Sequence, residues 1–460
     1  VVTIGPAGEN LVSYANIMNG PSNYAGRGGL GAVMGSKKLK AIVARGSRKP
    51  EFADPDAMSE LRRDMKDRIE SSIATQSMRA FGTAGAVDLS SMSGDLPIKN
   101  WSLGEWDKGV DKINGPTMTD TILTSTHSCM GCPVGCKRVV KVEEEPYAMG
   151  ENAGPEYETV GTFGSLLLIS DLKAIAKAND ICNRHGMDTI SCGATIAFLT
   201  ELMENGTVTS DETGGIELKW GEPGPVLALL EKIASNEEGI GEMLAAGSRE
   251  LCRRLGRGED SLVEVKGMEV PMHDPRAYWG MGLNYAVGNR GACHVNTFQM
   301  FVEQGFVFYP EIGIEQPLTQ FEPDGKAESN IKTQALGGIL NSTCTCHFPA
   351  IPLTLPDYTG MLNGATGFDY TVETLMAAGD RMWLLKRGIN NLLGAGAEDD
   401  RLPQRLLSPP EGGPTAGKTL DLQPMLKDFY RLRELDDSGR PSKNVLEKAG
   451  LSELSARLHS

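Results

Sequence analysis

Eight residues constrain this chain more than any others: Cys129-Met130-Gly131-Cys132-Pro133-Val134-Gly135-Cys136 puts three thiols at C-x2-C-x3-C spacing in a loop. Three thiolates held that closely need a fourth ligand from elsewhere. Cys344 and Cys346, in Asn341-Ser342-Thr343-Cys344-Thr345-Cys346-His347, form the other close pair. The glycines let backbone amides approach cluster sulfurs, and such hydrogen bonds help set a reduction potential. An iron–sulfur cluster suits the spacing better than structural zinc, which more often takes two separated pairs, yet spacing alone leaves both open. Cys182, Cys192 and Cys252 stand singly in helical context and read as small buried apolar residues. Cys293 lies beside His294 in a loop.

The rest of the composition narrows the class. Nine cysteines in 460 residues do not make a disulfide framework, which belongs to short, cysteine-dense secreted scaffolds. A net charge of -15 opposes binding to nucleic acid or to an anionic membrane. No apolar run reaches spanning length, and Val1-Val2-Thr3-Ile4-Gly5 lacks a basic region followed by an apolar signal core, so a cytoplasmic protein is expected. The chain opens without methionine, inside what reads as a strand, and Val1 is read as a truncated start.

The length suggests two or three domains. The reading is mainly α: two helical domains, over 51–265 and 266–460, follow the remnant of an N-terminal β-rich (α+β) domain over 1–50. Residues 1–46 read as a strand, a glycine-rich middle and a second strand over 39–44. Asp54 and Pro55 open a helix whose Met58, Leu61 and Met65 recur at helical spacing. A loop-rich stretch is expected from Gly82 to Gly164, then a helix from Ser170-Asp171. Further helices are expected over 190–204, 225–235, 241–255, 371–393, 422–433 and 443–449. The segment from Gly267 to Gly291 looks irregular, and Ser408 to Gly417 reads as a surface connection.

With its surroundings, the cysteine loop resembles the tungsten- or molybdenum-pterin aldehyde ferredoxin oxidoreductase family, and the match extends from residue 1 to about residue 445. The N-terminal hallmark is Asn23-Tyr24-Ala25-Gly26-Arg27-Gly28-Gly29-Leu30-Gly31-Ala32-Val33-Met34-Gly35-Ser36-Lys37. The family sets an arginine–glycine loop here against its bis-pterin cofactor, which implies roles for Arg27, Gly28, Gly29 and Gly31. Glycines bare the backbone to phosphate and pterin groups, and a guanidinium donates paired hydrogen bonds. Two D-x-x-G-L-(D/C) motifs, one per pterin, resemble Asn183-Arg184-His185-Gly186-Met187-Asp188 and Asn341 to Cys346. The resemblance thus implies pterin contacts from Asn183, Gly186, Asp188, Asn341 and Thr345. It makes Cys346 the fourth ligand of a [4Fe-4S] cluster with Cys129, Cys132 and Cys136, and a magnesium ion between the pterin phosphates is a further expectation.

This chain departs from the pattern. Asn stands for the leading Asp in both motifs, and Cys344 stands where glycine is usual. The N-x-R-x-G pattern reads Asn390-Asn391-Leu392-Leu393-Gly394, and Arg-Gly-Trp-Asp reads Arg433-Glu434-Leu435-Asp436. A divergent branch is inferred.

The resemblance also implies acid–base residues. Gly154-Pro155-Glu156-Tyr157-Glu158-Thr159 matches the stretch that supplies a glutamate near the metal, leaving Glu156 and Glu158 both open. His294 aligns with a histidine close to the substrate oxygen, and His273 falls where a relative has a pocket tyrosine. His127 and His185 read as packing or surface residues. Lys137 and Arg138 could form a positive rim for an acidic electron carrier.

The implied reaction oxidises a small aldehyde to a carboxylic acid and passes electrons through the cluster to ferredoxin or another Fe–S carrier; the enzyme is expected as a homodimer. The alternatives are a reductase of an aromatic CoA thioester on the same scaffold, a pterin-free Fe–S electron-transfer subunit, and a zinc-stapled module.

Overall fold

The strand Val2–Ile4 pairs antiparallel on one side with Ile17–Asn19 and on the other with Ala41–Ile42, and Asn23–Ala25 completes a four-stranded sheet. This computed structural model describes residues 1–20 and 22–460. The sheet is smaller than the sequence suggests for 39–44: only Ala41 and Ile42 pair, after a left-handed Lys38 at φ 53°. Between the strands lie the short helix Pro6–Glu9 and the helix Leu30–Ser36, whose start follows the arginine–glycine loop.

The remaining chain is mainly helical. Asp171 accepts from the amides of Lys173 (3.0 Å) and Ala174 (3.4 Å) and so starts the helix Leu172–His185. Asp188 does the same for Thr189–Glu204, accepting from Ser191 at 3.1 Å. That second helix is apolar nearly all round and buried over most of its length, as a helix in the middle of a core must be. Asp54 caps Pro55–Ser71 through the Ala57 amide at 2.9 Å.

Several expectations are corrected. The helix expected over 241–255 is two, Ile240–Ala245 and Ser248–Leu255, because Gly247 at φ 87° breaks the run. The stretch from Gly82 to Gly164 is far more regular than loop-rich. It carries the helices Val87–Ser93, Gly115–Thr121 and Tyr157–Phe163 and an antiparallel sheet of Leu123–His127, Lys137–Val142 and Met149–Ala153. Trp279–Val287 is a fully buried helix inside the segment that reads as irregular; its two glycines are packing contacts, Gly282 lying against Leu420. The helices Lys326–Ser342 and Leu355–Thr366 carry no amphipathic stripe strong enough to announce them. Ser408–Gly417 is tied down: Glu411 exchanges backbone hydrogen bonds with Ser102 (3.0 Å) and Gly104 (2.9 Å), and Thr415 is buried.

The main core runs from Ala7 to Leu458 and wraps the Leu172–His185 and Thr189–Glu204 pair. A second core gathers Met65, Ile69 and Val134 with Phe298, Leu336, Tyr358 and Leu375, and it backs the cysteine loop. Buried charges are paired inside these cores. Arg276 is clamped by Asp274, and Asp400 accepts from Lys266 (2.8 Å) and Arg387 (2.9 Å). Among the described residues no helix is long and apolar enough to cross a membrane.

Candidate active site

The cysteine loop sits between the strands Leu123–His127 and Lys137–Val142. Arg138 braces it from below, donating to the carbonyls of Arg79 (2.9 Å), Ala80 (3.0 Å) and Gly135 (2.7 Å). Arg138 is therefore buried and offers no rim to a partner. Cys346 comes to the loop from the end of the helix Lys326–Ser342, far along the chain. Burial is the largest cause pushing the Cys136 thiol up, with Glu156, Cys346 and Cys132 adding to it, and Cys132 and Cys129 lie close enough to act in turn on Cys346. Cys344 is exposed and holds a left-handed backbone at φ 56°.

The loop also meets the N-terminal sheet, where Cys129 Sγ lies 3.7 Å from Asn23 Oδ1. Asn23 opens the strand that leads into Arg27. Arg27 Nη2 donates to the carbonyls of Glu269 and Ala292, the latter at 3.1 Å, while its Nε and Nη1 are buried without a partner among the described residues. Gly29 is left-handed at φ 69°, and a Cβ there would collide with the Ser13 carbonyl. Gly31 packs as closely on Ala15 and Asn16. Gly28, at φ 104°, faces open space: a Cβ there would meet nothing within 4 Å among the described residues. The loop is thus a bare backbone surface with two unspent guanidinium donors at its centre.

A carboxylate and two imidazoles face this arginine. Tyr157–Phe163 begins at Glu156 and projects Glu158 inward, where Oε2 accepts from the Met272 amide at 2.8 Å. Glu158 Oε1 is 3.3 Å from His294 Nε2 and 3.6 Å from His273 Nε2, and no hydrogen bond from the described residues satisfies it. The three ligand atoms lie within 4.8 Å of one another, a spacing that could also hold a divalent cation. His273 is oriented from behind by Asp95 Oδ2 at 2.7 Å from Nδ1, and its ring stacks on Tyr157 at 4.6 Å. Tyr157 and Tyr285 donate to the carbonyls of Met272 (2.7 Å) and His273 (3.0 Å), fixing that strand of the wall.

This environment separates the three proton affinities. Burial raises the Glu158 pKa, and the charges of His273 and Arg27 offset it only in part. Burial pulls His273 down, but the charge and hydrogen bond of Asp95 outweigh it, and its pKa ends up raised. His294 falls well below the ordinary histidine range, first by burial and then by the charges of His273 and Arg27. His294 is thus the neutral imidazole of the pair.

Glu156 does not join this group. Its Oε1 pairs with Lys137 Nζ at 2.8 Å and its Oε2 accepts from Thr83, which ties the residue after Cys136 to the start of the Glu158 helix. Lys137 is accordingly spent inside the molecule. Asp188 lies buried below the arginine loop, its pKa raised by burial against the pull of Arg27, and Asn183 is buried on the preceding helix. Gly186 ends that helix at φ 76°. Asn341 and Asn296 line a cavity of about 320 Å³ with Arg290 and Lys386, whereas Thr345 bonds Thr343 at 2.9 Å outside its lining. Sequence reading gives no role to Asp95, Tyr285 or Tyr157, the last inside the singled-out Gly154–Thr159 stretch, and they become partners of His273 only through folding. His127 and His185 fall outside the group, His185 pairing with Glu231.

A quartet of thiols on one side and a buried carboxylate–imidazole group facing a bare arginine–glycine loop on the other define a mainly α redox enzyme class. The sequence matches the family model "Aldehyde ferredoxin oxidoreductase, domains 2 & 3" over residues 60–451 and the family's N-terminal domain over 1–46. The chain belongs to the aldehyde ferredoxin oxidoreductase family. It is 37% identical over 461 residues to a tungsten-containing aldehyde ferredoxin oxidoreductase of Pyrococcus furiosus, covering 98% of this chain and 73% of that protein. It is 36% identical to the Thermococcus kodakarensis protein of the same name, at 98% and 73% coverage. A solved structure, the active site complex BamBC of benzoyl coenzyme A reductase with 1,5 dienoyl-CoA, shares the fold with a TM-score of 0.79 at 22% identity, over 99% of this chain and 74% of that one.

Proposed function

We propose that this chain is a tungsten-pterin oxidoreductase that converts an aldehyde and water into a carboxylic acid, releasing two electrons and two protons, with the electrons leaving through a [4Fe-4S] cluster to two one-electron carriers of the ferredoxin kind. The observation that carries the reading is the buried Glu158–His273–His294 group set against Arg27 and its unpartnered donors. These residues fit an anionic, hydrogen-bonding cofactor: Arg27 Nε and Nη1 would donate to it, and Gly28 leaves it room. Asp188, Asn183, Asn341 and Thr345 are its further contacts, and Cys129, Cys132, Cys136 and Cys346 hold the cluster.

The metal–pterin group, when bound, supplies the two-electron chemistry. The protein's part is proton management. Glu158 Oε1, buried and unsatisfied, accepts a proton from the water that becomes the acid's oxygen. His294, neutral, has its Nε2 3.3 Å from Glu158 Oε1 and takes the proton on, while His273, 3.6 Å from the same oxygen and with its proton affinity raised by Asp95, holds positive charge against the carboxylate. Because the Glu158 pKa is raised, the base is present above a pKa higher than the ordinary carboxylate range, and activity is lost as pH falls through it.

The test is Glu158→Gln in protein purified without oxygen. Wild type should contain about four irons and one tungsten with pterin per chain. The variant should keep that content while kcat/KM for aldehydes falls by roughly 10²–10⁴ and its acid limb disappears. A Glu158→Gln enzyme with wild-type turnover would sink the assignment.

A further inference from the structure

The helix Pro55–Ser71 forms one wall of a groove of about 900 Å³ whose far wall is the cysteine loop itself, through Gly131, Cys132 and Pro133. In a chain of net charge -15, this groove is lined by Arg62, Arg63 and Lys66. Among the described residues Arg62 and Arg63 form no ion pair, whereas Arg68 on the same helix is held by Asp64 and Asp357. The groove's carboxylate, Glu70, is already shared between Lys66 (3.9 Å) and Arg79 (3.8 Å). Apolar surface lies beside the charge: Phe52 is about half exposed, and Met130, next to Cys129, is fully exposed.

We infer that this groove is the docking surface for the electron acceptor, a small acidic iron–sulfur protein, which sets its carboxylates against Arg62 and Arg63 and its apolar contact against Met130 and Phe52. The inference rests on the proposed function, since it takes Cys132 as a cluster ligand. The chemistry of the surface specifies this partner. Unpaired arginines on an otherwise acidic molecule attract a negatively charged protein and steer its approach, while an exposed apolar centre supplies the short-lived contact that an electron-transfer encounter needs. The groove's far wall is the thiol loop itself, so an acceptor seated here lies beside the cluster. Lys137 and Arg138 cannot serve this end, being turned inward to Glu156 and to backbone carbonyls.

The experiment uses the complete holoenzyme with an aldehyde and two acceptors, an acidic 4Fe–4S ferredoxin and the dye benzyl viologen. Arg62→Glu/Arg63→Glu should raise KM for ferredoxin by about tenfold or more with dye-linked turnover unchanged. The Arg62→Lys/Arg63→Lys enzyme should stay close to wild type, and added salt should raise the ferredoxin KM of wild type but scarcely that of the glutamate variant. An unchanged ferredoxin KM in the glutamate variant, or a wild-type KM indifferent to salt, overturns the docking site while leaving the aldehyde reading in place. Absence of dye-linked aldehyde turnover in wild type overturns both. Should the glutamate variant not fold, the salt dependence of wild type still decides.

Discussion

The segments Asn183–Asp188 and Asn341–Cys346 fold alike and end differently. In each, a long helix stops at the motif, the fourth residue takes a left-handed backbone (Gly186 at 76°, Cys344 at 56°), and the fifth amide reaches back to the carbonyl just before the motif. Met187 donates to Cys182 and Thr345 to Leu340, both at 2.9 Å, and the sixth residue, Asp188 or Cys346, is the N-cap of the next helix. The first copy is buried: Met187 and Asp188 lie in the main core, and Gly186 is pressed against Gly5. The second copy lies open, with Asn341, Cys344 and Cys346 all exposed. The same turn thus delivers a carboxylate under the arginine loop in one place and a thiol to the cysteine loop in the other. Surroundings rather than turn geometry set the role.

The sharpest way to break this comparison is at its last position. Cys346→Ser should remove at least one iron per chain and abolish ferredoxin-linked turnover, whereas Cys344→Ser should leave iron content unchanged; iron and sulfide analysis beside an activity assay decides, and equal losses would make the two thiols interchangeable. A smaller effect is expected at the fourth position, with opposite signs in the two copies. Gly186→Ala puts a Cβ on a left-handed backbone 3.0 Å from the Gly5 amide and should destabilise by more than about 1 kcal/mol, while Cys344→Gly relieves the same conformation and should stabilise by roughly 1 kcal/mol. Denaturant midpoints would show it, and a stabilising Gly186→Ala would contradict the shared turn. Smallest is the cap: Asp188→Asn keeps the bond to the Ser191 amide and should shift stability by a few tenths of a kcal/mol, against about 1 kcal/mol for Asp188→Ala. Equal losses in thermal unfolding would mean that Asp188 matters for its charge and not for its cap.

Much of this was legible beforehand where the signal is local. Asp171 and Asp54 announce helix starts because an N-cap acts within three residues, and the C-x2-C-x3-C spacing keeps three thiols together whatever the rest of the chain does. The buried helix Trp279–Val287 was not legible, since a helix covered on all sides needs no stripe and its glycines mimic a loop. Nor could spacing choose between Glu156 and Glu158, two residues apart. Tertiary packing turns one toward Lys137 and the other toward His273 and His294.

The residues alone determined the chemistry on offer: four thiols, a bare arginine–glycine loop, two carboxylates and two histidines. Only the folded chain decided which of them meet. Proton affinity, ion pairing and exposure depend on burial and on neighbours far along the chain, such as Asp95 behind His273 at 178 positions' distance. It also decided that the free positive charge near the thiols belongs to Arg62 and Arg63 and not to Lys137 and Arg138, because a cation paired with a carboxylate or buried in a ring of carbonyls is already spent within the molecule, and an unpaired one on the surface can act on a partner.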